Sequence, residues 1–135
     1  MYTLNTLPPG VLIHLFAALG ALAIGPLAMW ARLGMQQRPR LHRAFGYAWV
    51  TLMVATAVSA LFIRNEVGPS VAGFGWIHLF VPLTFLGLFS AFRNLARGNI
   101  AAHRQAMLGT YFGACIVAGG FTLMPGRFLG NLIFG

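Results

Sequence analysis

The chain has 135 residues, 59% of them apolar and only 7% charged, with nine arginines, no lysine and a single acid, Glu66. A soluble domain of this size carries about 25% charged residues, so this composition cannot clothe a water-facing surface. The length allows one domain, 1–135.

The first element in chain order is the uncharged apolar run Val11–Ala31. It has roughly the 20 residues that a helix needs to cross a ~30 Å hydrocarbon core. It lacks a basic leader and is too long for the apolar core of a signal peptide. His14 sits early in it, and the face below His14 continues Ala18, Ala21, Gly25, Ala28, a stripe with room for a flat ring. A loop follows with Arg32, Arg38, Arg40 and Arg43, and with His42. The second run is Ala44–Ile63, where the His42 face continues Gly46, Trp49, Met53. Arg64 and Glu66 mark the next loop. The third run, Phe74–Phe92, carries His78 followed by Pro82, Phe85 and Phe89. Arg93, Arg97, His103 and Arg104 precede the fourth run, Gln105–Gly126, which holds the lone Cys115 and ends before Arg127. Cys115 has no partner for an internal disulfide and reads as a small core residue.

These runs predict an all-α membrane protein, since in lipid each spanning segment must satisfy its own backbone. Seven arginines fall in the loops after the first and third runs, and two fall elsewhere. The positive-inside rule makes those two loops cytoplasmic. The expected location is the inner (cell) membrane, multi-pass, with both termini on the non-cytoplasmic side. The charge of +8 is then a matter of topology and anionic lipid contact, not of nucleic acid.

The chain also repeats itself. Ile13-His14-Leu15-Phe16 matches Ile77-His78-Leu79-Phe80, and His42-Arg43 matches His103-Arg104. The halves, about 11–63 and 74–126, each read as a two-helix hairpin. Short loops predict an up-down-up-down four-helix bundle, in which His14 and His78 form an outer pair and His42 and His103 an inner pair. The small residues in the spans suit close packing and leave a homo-oligomer open.

Two imidazoles on facing helices in an apolar, carboxylate-poor setting suit a b-type haem, whose iron takes axial histidines. Two haem b groups are therefore expected. His14, His78, His42 and His103 are the candidate ligands. Arg43 and Arg104 are placed for the inner propionates, with Arg64 or Arg127 for the outer. At 1.5 Å per residue, the inner pair lies roughly 17–19 Å from the midplane, unless the inner helix ends are drawn inward. Zinc would want four ligands close together. A hydrolase triad lacks its acid, and no glycine loop cradles phosphate. Met53, Met107 and Met124 could bind soft Cu(I), though methionine in such helices is more often packing.

The strings Arg40-Leu41-His42-Arg43-Ala44-Phe45-Gly46-Tyr47-Ala48-Trp49-Val50, Ile77-His78-Leu79, His103-Arg104-Gln105-Ala106-Met107 and Pro125-Gly126-Arg127 resemble a bacterial membrane family labelled domain of unknown function 2306. The resemblance covers most of the chain and implies four spans, with no settled activity. The paired histidines are also similar in general plan to the cytochrome b561 proteins, dihaem membrane electron carriers. Those in eukaryotes carry two ligands on each of two helices, against one on each of four here. The expected function is electron transfer across or within the bilayer, which in enzyme terms is a quinone-linked membrane oxidoreductase. Its rival is a non-enzymatic accessory subunit or assembly factor of a respiratory complex with structural histidines. A small-molecule carrier is the third option.

Overall fold

A computed structural model describes residues 4–33, 35–63, 70–71, 74–125 and 128–134. Arg64, Glu66 and Arg127 lie outside the described residues. Apart from a two-residue pairing of β1 (Ser70–Val71) with β2 (Phe74–Gly75), the regular structure is helical. The long helices are α1 (Pro9–Trp30), α2 (Pro39–Ala60), α3 (Phe80–Ala96) and a composite fourth helix. The composite runs as α4 (Ile100–Thr110), a π-helical stretch Tyr111–Val117 and α5 (Ala118–Thr122). A short α6 (Phe128–Phe134) follows.

The helix starts are written locally. Pro9 and Pro39 open α1 and α2, where a missing N–H costs nothing and the fixed φ suits the first turn. Asn99 caps α4 by accepting from the Ala102 N–H at 3.1 Å. Gly98 at φ +75° takes the left-handed conformation that ends α3. These starts correct the sequence boundaries. α2 begins before Arg40 and Arg43 and α4 before Arg104, so His42 and His103 lie inside α2 and α4. The apolar run from Phe74 becomes helical only with a 3₁₀ turn, Trp76–Leu79, so His78 precedes α3.

The helices pack as two hairpins, α1 on α2 and α3 on the fourth helix. Buried faces follow helical spacing: Ala17, Ala21, Gly25, Ala28 on α1; Trp49, Met53, Ala57 on α2; Val81, Thr84, Leu88, Ala91 on α3. Trp49, Met53, Leu88 and Tyr111 meet on Ala21 to form the core. Small residues sit where backbones approach, as in membrane helix packing. A Cβ on Gly25 would collide with the Tyr111 ring and come within 3.2 Å of Trp49 Nε1, and one on Gly87 would strike Thr110 Oγ1. Outside the core, large apolar side chains on every long helix face outward, among them Phe16, Tyr47, Leu83, Phe89 and Phe112.

Pro26 lies inside α1. Without an N–H it cannot bond the carbonyl four residues back, that of Leu22. Tyr111 donates its hydroxyl to the Leu22 carbonyl at 3.0 Å, so the fourth helix supplies the donor that proline removed. Tyr111→Phe should therefore cost about 1 kcal/mol in a detergent unfolding titration. In a Pro26→Ala background, where residue 26 regains its N–H, the same change should cost measurably less. Equal costs in both backgrounds would break the link between the two residues.

Candidate functional site

The four histidines share one habit. Each gives a ring N–H to a backbone carbonyl of another helix. His42 Nδ1 donates to the Ala28 carbonyl near the end of α1 at 2.8 Å, and His103 Nδ1 donates to the Ala91 carbonyl of α3 at 2.8 Å. His14 Nδ1 donates to the Thr56 carbonyl of α2 at 2.9 Å and lies 3.2 Å from Ser59 Oγ, which itself donates to Thr56. His78 Nε2 faces two carbonyls just beyond, Ala60 at 3.1 Å and Ile63 at 2.8 Å, while its Nδ1 accepts from the Gly75 N–H at 3.2 Å.

A carbonyl only accepts, so these partners fix the tautomers: Nδ1–H in His14, His42 and His103, Nε2–H in His78. Metal-binding histidines have the first form, one nitrogen donating to a carbonyl and the other turned to the metal. His78 has both nitrogens engaged.

The inner pair keeps the repeat symmetry. His42 and His103 use the same atom for the same task, each tied to the helix before it. They lie seven and eight residues before Trp49 and Tyr111, whose rings meet at a centroid distance of 6.3 Å. At 1.5 Å per residue, both histidines sit roughly 11–12 Å from that contact, toward the same end. One turn from His42, a Cβ on Gly46 would find nothing within 4 Å. Arg43 and Arg104, next in sequence, are exposed.

The outer pair breaks the symmetry. His14 and His78 do converge, but on the C-terminal end of α2 rather than on separate hairpins. Counted from the equivalence of His42 with His103, the counterpart of Ser59 is Gly120. The sequence pattern did not single out Thr56 and Ser59, since their part in the site comes from a contact across helices. Tyr111 does carry a signal in the sequence, namely the carbonyl that Pro26 leaves open.

One expected stripe shifts at its first residue and another falls elsewhere. The buried face of α1 is Ala17–Ala21–Gly25–Ala28, and its hollow is filled by Tyr111 and Trp49 rather than left for a ring. Pro82, Phe85 and Phe89 point outward, because the 3₁₀ turn at His78 breaks the i, i+4 phase into α3. Met53 Sδ touches Cys115 Sγ at 3.6 Å, and Met124 is half-exposed at the far end of the fourth helix. Among the described residues, no group of three or more His, Cys, Asp or Glu side chains could hold a metal ion.

The two His pairs differ in their fit to haem. At the inner pair both histidines have the ligand tautomer and an arginine follows each in sequence, so the donor set is one that suits a haem iron. At the outer pair it does not, because His78 has no nitrogen to give without releasing an existing bond.

Outward apolar side chains on every long helix and carbonyls served from within define an all-helical membrane protein. α1 alone among the described residues is both long and apolar enough to cross a membrane, with 17% of its most apolar stretch buried, and α3 is apolar but only 17 residues long. Residues 11–129 match the family described as predicted membrane protein (DUF2306), and the chain belongs to that family. No curated protein and no solved structure matches it.

Proposed function

We propose that the protein crosses the bilayer four times, with its arginine-rich loops cytoplasmic, and binds one b-type haem between His42 and His103. The observation that supports this most directly is the shared geometry of the inner pair. Each Nδ1–H is held on a neighbouring helix's carbonyl at 2.8 Å, which orients the ring and leaves Nε2 for an axial bond. Arg43 and Arg104 would meet the propionates. A bound haem supplies reversible one-electron chemistry, and a membrane quinone is the natural lipid-soluble partner. In this reading His14 and His78 are structural, closing the outer end of α2.

The test is the spectrum of the detergent-purified protein from haem-replete cells. A reduced-minus-oxidised difference typical of low-spin, six-coordinate b haem, at about one haem per chain, is expected. A colourless preparation without iron would end the haem reading. That result would promote the second reading, a non-enzymatic accessory membrane protein, which has its own support: every histidine already has a carbonyl partner that accounts for its burial.

A further inference from the structure

The arginine end of the bundle carries charge that no acidic side chain among the described residues offsets. The 3₁₀ turn before α3 meets the end of α2 through His78, so the loops after α1 and α3 both lie at the opposite end. Arg32, Arg38, Arg40, Arg43, Arg93, Arg97 and Arg104 gather there, and all seven are exposed. The only acid of the chain, Glu66, is elsewhere in sequence, and no carboxylate side chain is present among the described residues.

Arg93 suits the last turn of α3, where the helix dipole favours a cation, but the rest of the placement works against the fold unless an anion is present. Arg40 and Arg43 are spaced i, i+3 on α2, and Arg93 and Arg97 are spaced i, i+4. Like charges at such spacings repel. Arg38 and Arg40 stand at the N-terminus of α2, the positive end of its dipole, with no acid in the first turn. Two of the arginines are held in place: Arg38 stacks on the Trp30 ring at 4.7 Å, and Arg32 donates to Gln37 Oε1 at 3.2 Å. Arginine throughout, with no lysine, favours forked hydrogen bonding to phosphate oxygens.

Exposed apolar side chains interleave with these cations: Trp30, Leu33, Met35, Leu41, Leu95 and Ile100. A free phosphate or a nucleic acid has no use for them, whereas a phospholipid has both an anionic headgroup and acyl chains. We infer that this end of the bundle is a docking surface for anionic phospholipid headgroups, bound through their phosphodiesters by the arginine cluster. The inference rests on the bilayer placement and not on haem.

The experiment uses the full chain in neutral detergent and follows its unfolding midpoint with phosphatidylglycerol, with phosphatidylcholine of the same acyl chains, or with inorganic phosphate. Phosphatidylglycerol near saturation should raise the midpoint by about 5 °C, phosphatidylcholine by much less and phosphate alone not at all. The difference between the lipids should shrink at 0.5 M salt. It should be largely lost in an Arg38→Gln, Arg40→Gln, Arg93→Gln, Arg97→Gln variant, which leaves Arg43 and Arg104 in place. The corresponding four Arg→Lys changes keep the charge, and at low salt that variant should retain a preference for phosphatidylglycerol even if the glutamine variant fails to fold. Equal shifts with the two lipids would overturn the proposal, as would a preference surviving intact in the glutamine variant. A full shift from phosphate alone would do so too, by revealing a soluble-anion site. A colourless protein that still prefers phosphatidylglycerol would remove the haem reading and leave this one standing.

Discussion

Replacing either His42 or His103 by alanine should strip nearly all the haem from the purified protein, and replacing both should look like either change alone. One iron shared by two axial imidazoles explains both results. Losing one ligand leaves the ring held by a single bond, so the second substitution has little left to remove, whereas independent sites would add. His14→Ala and His78→Ala should behave differently. Their bonds go to α2 carbonyls, so each should lower stability by about 1–3 kcal/mol while leaving haem per chain almost unchanged. Haem content and the absorption maximum of the four single variants and the inner double variant decide the matter. Loss of haem in His14→Ala or His78→Ala, with His42→Ala and His103→Ala unaffected, would move the cofactor to the outer end and sink the present assignment.

The second large effect is expected at Gly25. A leucine there has to occupy the volume of the Tyr111 ring, with Trp49 behind it. The side chains that would have to move form the core itself, so the cost should reach about 2–3 kcal/mol. Gly109→Leu is the matched control, because a Cβ at Gly109 finds nothing within 4 Å. With glycine's helix penalty removed, that variant should be unchanged or more stable by about 0.5–1 kcal/mol. Detergent unfolding midpoints of the two variants measure the contrast. Similar midpoints would mean that Tyr111 does not pack on Gly25 as described.

Much of this was legible in the residues. Apolar run length, the scarcity of charge and the arginine clustering are local or compositional properties, and they gave the helical membrane class and the hairpin repeat. The helix starts were legible in principle too, since Pro9, Pro39 and Asn99 are local signals, but arginine and histidine in the first turns made the inner helix ends look like loops. The apolar pattern could not reveal the 3₁₀ turn at His78, because a 3₁₀ turn and an α-turn present the same residue types over four positions.

What each histidine touches was decided by tertiary structure. The sequence paired His14 with His78 and His42 with His103 by repeat symmetry, and symmetry alone treats the two pairs as equals. Packing separates them: His14 and His78 both bond the C-terminal end of α2, and His78 engages both its nitrogens. In the same way, Ala18–Ala21–Gly25–Ala28 offered space to any flat group, and Tyr111 took it because Pro26 had left the Leu22 carbonyl without a donor. A run of small residues specifies that something bulky comes close. Only the relative placement of the helices decides which ring arrives, because the partner lies 86 positions away in the chain from Gly25 to Tyr111 and no local pattern spans that distance.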